Sequence, residues 1–169
     1  TITTTGTGKE LLPNDEIRKA YLGQYPCHPP KRKELPMVNI CSAQKLSSPN
    51  PFALITSKGE QYTNLMALSW WTYCCNHPAT VAIFIGQRSY SGRCIQQTGE
   101  FCLCLPGEQV ADAAFRCGTC SGADHNKAAD FGIDLVPSTV VAPAHVAESR
   151  LVLECKVTQS LPVGDHQLF

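Results

Sequence analysis

The chain has 169 residues, 43% of them apolar and 17% charged, a balance that suits one globular domain with a sizeable core and excludes a disordered chain. Fourteen basic and fourteen acidic side chains cancel, at a pI near 6.9, so the sequence lacks the broad positive field of a nucleic-acid binder. No apolar run approaches the roughly 20 residues of a membrane span. The opening TITTTGTGKELLPNDE lacks the basic start and apolar centre of a signal peptide, so a cytoplasmic location is expected.

Residues 1–40 read as an N-terminal extension. Within it, PNDEIRKAYLG carries helix signals, with Asn14 as N-cap, Asp15 and Glu16 in the first turn, Arg18 and Lys19 later, and Gly23 at the end. A proline-rich connection over 24–36 follows, and Lys31-Arg32-Lys33 within it reads as a solvated loop. Residues 41–169 read as one mostly β domain. FALITS (52–57) and QYTNLMALS (61–69) predict a hairpin across Lys58-Gly59. ATVAIFI (79–85) is a continuous apolar strand that stops at Gly86. GEFCLCLP (99–106) alternates, with Phe101, Leu103 and Leu105 on one face and Cys102 and Cys104 on the other. EQVADAAFRC (108–117) predicts a helix with Val110, Ala113, Ala114 and Cys117 along one stripe, and HNKAADFG (125–132) a single helical turn. RLVLECKVTQ (150–159) alternates, with Leu151, Leu153, Cys155 and Val157 inward and Glu154 and Lys156 outward. DHQLF (165–169) begins another strand. Six or more strands with brief helical connections predict a closed or nearly closed antiparallel barrel. Ending within a strand raises the expectation of further C-terminal strands.

Three stretches carry candidate chemistry. TNLMALSWWTYCC (63–75) places Asn64, Met66, Leu68 and Trp70 on one strand face and Leu65, Ala67, Ser69 and Trp71 on the other. Small Ala67 and Ser69 leave room for a flat ring against the backbone; the plainer reading has both tryptophans filling the core. GQRSYSGR (86–93) offers Arg88, Ser89, Ser91 and free backbone amides after a buried strand, which suits a phosphate or a solvated loop. CGTCSGADHNKAADFG (117–132) contains a CxxC and, beyond it, Ser121-Gly122 and Lys127 as anion contacts. Cys117 falls at a helix end rather than a start, so the dipole does not favour its thiolate, and no second CxxC or HxxxH completes a zinc set. The ten cysteines lack an accompanying export signal, and most are expected to be reduced and buried. Cys74 and Cys75 are expected as unbridged core or loop thiols. The five histidines do not cluster.

In this order the stretches resemble the flavin reductase-like family, and most closely its flavoredoxin branch. TNLMALSWWT, HPATVAIFIGQRSYSGRCIQQTGEFCLCLP, CGTCSGADHNKAADFGIDLVPSTVVAPAHVAESRLVLECKV and GDHQLF carry the resemblance, over roughly residues 45–169. It implies an FMN-binding split β-barrel, a Greek-key antiparallel barrel with a few short helices, that forms a homodimer with flavin near the subunit interface. It implies electron transfer from NAD(P)H or a protein donor to free flavin, ferric iron or a redox protein. By position, Asn64, Met66, Ala67, Leu68, Ser69, Trp70, Trp71 and Thr72 would line the isoalloxazine. Arg88, Ser89, Tyr90 and Ser91 would hold the phosphate end. Cys102, Cys104, Leu105 and Pro106 would pack nearby, and Ser121, Gly122 and Lys127 would close the site. The chain departs from the family pattern at Asn126-Lys127-Ala128, where an acidic residue and a phenylalanine commonly flank the lysine, and at Cys104, where asparagine is common. Two rival readings remain: a flavin-binding carrier without turnover, and a cysteine-based redox or zinc protein using Cys117 and Cys120.

Overall fold

A computed structural model describes residues 51–169. The helix read at 14–23 and the proline-rich connection lie outside them. In chain order the elements are β1 (Ala53–Lys58), β2 (Thr63–Leu68), β3 (Trp71–Asn76), β4 (Ala79–Gly86), α1 (Tyr90–Thr98), β5 (Glu100–Pro106), a 3-10 turn over Glu108–Val110, α2 (Ala111–Arg116), α3 (Lys127–Phe131), β6 (Leu135–Val136), β7 (His145–Val146), β8 (Ser149–Lys156), β9 (Leu161–Val163) and β10 (His166–Leu168). Two four-stranded antiparallel sheets form, in the orders β2-β1-β5-β8 and β3-β4-β10-β9, beside a small β6-β7 pair.

The expected hairpin sets Ala53 opposite Leu68 and Lys58 opposite Thr63. Alternation then builds two cores from one sheet. On one face Ala53, Ile55, Phe101 and Leu103 meet Trp71, Ile83 and Ile85 of the second sheet. On the other face Leu54, Leu65, Cys102 and Cys104 meet Val110, Ala114 and Cys117. A strand buried on both faces is largely apolar, which accounts for Ala53, Leu54 and Ile55 in β1 and Phe101 to Leu105 in β5, while Thr56 and Ser57 continue β1 as buried polar residues. Leu153, Cys155 and Val157 pack on the first core as their alternation predicts. Glu154 projects the other way, where its carboxylate accepts hydrogen bonds from the backbone of Thr139 (3.0 Å) and Val140.

Three expectations need correction. TNLMALSWWT is not one strand. β2 ends at Leu68 and belongs to the first sheet, whereas β3 starts at Trp71 and belongs to the second. Two neighbouring indoles cannot both enter one core from a flat strand, and the chain crosses between sheets here instead. Trp71 is buried in the first core, its Nε1 donating to Pro51 O at 2.8 Å. Trp70 turns outward and stacks on His166, with ring centroids 4.7 Å apart. Second, the loop read at 86–93 closes with a helix, α1. Ser89 caps it, its Oγ accepting from Gly92 N at 3.0 Å, and Gly99 ends it at φ +68°, a left-handed cap conformation that favours glycine. Third, Cys74 and Cys75 are exposed, because β3 is an edge strand that keeps only Trp71 buried. Cys94, Cys102, Cys104 and Cys117 are buried, Cys120 and Cys155 are half-buried, and all eight described cysteines are free thiols.

Candidate functional site

A cleft of about 480 Å³ opens where β2, the start of α1 and the segment between α2 and α3 meet. Met66, Ala67, Arg88, Ser89, Tyr90, Ser91, Cys117, Gly118, Thr119, Cys120, Ser121, Gly122 and Lys127 line it. Its volume lies within the roughly 300–1,000 Å³ typical of small-molecule sites. The three stretches singled out by sequence thus share one wall system, although they are far apart in the chain.

Two chemical features distinguish this cleft. At one wall the first turn of α1 carries backbone N–H groups without intrahelical acceptors, with Arg88 and Ser89 immediately before it. At another, Lys127 is 4% exposed, and its Nζ donates to Cys117 O at 2.6 Å. Among the described residues no carboxylate lies within ion-pair distance of Lys127. Burial holds its ammonium below its ordinary range. A buried cation supported by one neutral acceptor favours an incoming anion or polar ligand edge.

Asn64 lies behind the cleft rather than in its lining. It is buried, and its Nδ2 donates to Ser91 Oγ at 2.8 Å and to Ser57 Oγ at 3.2 Å. Its Oδ1 has no hydrogen-bond partner and faces Gly122, where a Cβ would overlap it. One side chain therefore sets both the α1 wall and the Gly122 wall. The sequence marks Asn64 as a polar residue in a strand, but its contact with Gly122 joins distant parts of the chain and follows no periodicity.

The other residues named from sequence lie elsewhere in this chain. Leu68 and Trp71 fill the first core, Ser69 and Thr72 are exposed, and Trp70 packs on His166. Cys102 and Cys104 are fully buried in the second core. Leu105 packs on the first core, and Pro106 lines a separate cleft of about 530 Å³ with Phe52, Glu108, Phe115 and Arg150. That cleft is larger but mainly apolar. It holds no buried cation, since its Arg150 is exposed, so the smaller one is the stronger candidate. Gly118 and Thr119 also line the smaller cleft, and no sequence feature singles them out beyond their place inside the CxxC. Burial pushes the Cys117 thiol up to about 11, which opposes a resting thiolate. Among the described residues no three His, Cys, Asp or Glu side chains are grouped to hold a metal, and no helix is long and apolar enough to cross a membrane.

Fold and cleft together define an antiparallel β-barrel domain with a polar cleft. The chain belongs to the flavin reductase like domain family, whose model matches residues 46–169. An uncharacterized protein of Archaeoglobus fulgidus is 31% identical over 111 residues, which is 66% of this chain. The match spans 63% of that relative's own length, somewhat less than two thirds. The flavoredoxin of Desulfovibrio vulgaris (Miyazaki F) superposes with a TM-score of 0.69 at 26% identity, covering 78% of this chain and 72% of that one. A flavoredoxin from Methanosarcina acetivorans gives 0.69 at 23% identity, covering 83% and 71%, a likeness of fold.

Proposed function

We propose that the cleft binds FMN and that the domain, residues 41–169, serves as an FMN-dependent oxidoreductase or electron-transfer protein. The observation that carries this reading is buried Lys127, without a carboxylate partner among the described residues, sharing one cleft with a helix N-terminus. That donor set fits a ligand with a phosphate at one end and polar ring atoms at the other. Arg88, Ser89, Tyr90 and Ser91 hold the phosphate with charge and oriented donors. Met66 and Ala67 lie against the ring, and Ser121, Gly122 and Lys127 close over its polar edge. When bound, the flavin supplies the redox chemistry, and the chain's residues bind, orient and tune it.

The finer parts of the reading are a homodimer, NAD(P)H or a redox protein as donor, a ferric or protein acceptor, and a cytoplasmic setting. Exposed Leu161 and Val163, neighbours on one face of edge strand β9, support the dimer as an apolar pair that a second copy could cover. A carrier without turnover is the second reading, and steady-state NADH oxidation by the flavin-loaded protein separates the two.

The phosphate assignment is tested by Arg88→Ala. One charge-assisted phosphate contact is worth about 1.5–3 kcal/mol, so FMN affinity should fall roughly 10- to 100-fold while riboflavin affinity stays unchanged. Equal losses for both ligands, by fluorescence titration, would remove Arg88 from the phosphate.

A further inference from the structure

Flavin binding gives the Cys117–Cys120 pair no role. Both residues line the cleft, Cys117 fully buried and Cys120 half-buried and reachable from it. Gly118 N donates to Phe115 O and Thr119 N to Arg116 O, each at 3.0 Å, so the segment folds back on itself after α2. These turns end at Thr119 and Cys120 follows directly, so two residues separate the cysteines and both face one cleft, a spacing at which the roughly 4.4–6.8 Å between Cα atoms that a disulfide needs is attainable. The segment is also coupled to the site. The Cys117 carbonyl accepts from Lys127 Nζ, and a Cβ at Gly118 would stand 3.2 Å from Ala67 Cβ on the cleft's opposite wall.

We propose that Cys117 and Cys120 are a modification site: they close into a reversible disulfide by exchange with low-molecular-weight disulfides, and closure weakens ligand binding in the cleft. Cys120, the accessible thiol, loses its proton and attacks one sulfur of the small disulfide, forming a mixed disulfide and expelling one small thiolate. Cys117, shielded from the outside, then loses its proton and attacks the Cys120 sulfur, expelling the second. Two protein thiols are oxidised by two electrons, one disulfide is reduced to two thiols, and the two protons released protonate the leaving thiolates. Forming the bond pulls the Cys117 backbone toward Cys120 and moves the carbonyl that holds Lys127. The first half of the proposal is independent of what the cleft binds; the second rests on the flavin reading.

The test uses the full chain carrying Cys74→Ser and Cys75→Ser, which removes the exposed thiols of β3. The protein is incubated with glutathione disulfide, alkylated and cleaved with trypsin, which releases residues 117–127 as one peptide holding both cysteines and no others. The expected peptide is unalkylated and about 2 Da lighter than its reduced form, and dithiothreitol reverses the change. FMN binds the oxidised protein roughly tenfold more weakly, the worth of one misplaced charged contact. With Cys120→Ser added, no link forms and the disulfide leaves FMN affinity unchanged. Two alkylated thiols after oxidation, or two separate glutathione adducts, overturn the proposal. A linked peptide with unaltered FMN affinity overturns the coupling to the cleft. Protein that binds no FMN in either redox state overturns that coupling and the cofactor reading together, while the peptide mass still decides the disulfide.

Discussion

Gly122→Ala is expected to destabilise the domain by about 2–3 kcal/mol and to abolish tight FMN binding. The methyl would overlap Asn64 Oδ1 and would also press on Tyr90 Cδ1 at 3.3 Å. Asn64 cannot swing away without giving up its bonds to Ser57 and Ser91, each worth about 0.5–1.5 kcal/mol. Either the loop at 121–123 lifts or the first turn of α1 loses its anchor, and both form walls of the cleft. A double-mutant cycle isolates the cause. In an Asn64→Ala background the obstructing oxygen is gone, so adding Gly122→Ala should cost under about 1 kcal/mol in denaturant unfolding. Equal costs in both backgrounds would show that the Asn64 contact is not what demands glycine.

Lys127→Met separates stability from binding. The substitution removes a buried ammonium, which relieves desolvation, and leaves the Cys117 carbonyl without its donor, which costs about as much. Ligand-free stability at neutral pH should therefore change by less than about 1 kcal/mol, while FMN affinity falls tenfold or more. The pH dependence carries a second signature. With the native ammonium held below its ordinary value of 10.5, the unfolded chain binds the extra proton between that lowered value and 10.5. Across this window Lys127 makes stability rise with pH. Below the window it is charged in both states and contributes no slope. Lys127→Met should flatten the rise in thermal scans without ligand. An unchanged pH profile, together with unchanged FMN affinity, would remove Lys127 from the site.

Much of the fold is legible in the order of residues, because strand alternation is a local property. The runs at 52–57, 79–85 and 99–106 form strands, the run read at 150–159 forms one that ends at Lys156, and β5 divides Phe101 and Leu103 from Cys102 and Cys104 as its period of two requires. The crossing at Ser69-Trp70 is not legible, since apolar residues continue through it and only the second sheet's position breaks the strand. α1 escapes a sequence reading for a related reason. Ser-Tyr-Ser-Gly-Arg looks like a loop, Gly92 falls in the first turn, and the buried stripe is short, with Cys94 and Ile95 its apolar members. The cap at Ser89 is the one signal of a helix start there. β6 and β7, two residues each, carry no period at all. In the cleft, Arg88, Ser89, Gly122 and Lys127 stand out from sequence, but the grip of Asn64 on both walls is purely tertiary.

The most direct measurement is a visible absorption spectrum of the purified protein after incubation with FMN and gel filtration. Flavin bands should co-elute with the protein at a stoichiometry of one FMN per chain and be lost on Lys127→Met or Gly122→Ala. A colourless protein fraction, with a far-ultraviolet spectrum still showing folded strands, would contradict it.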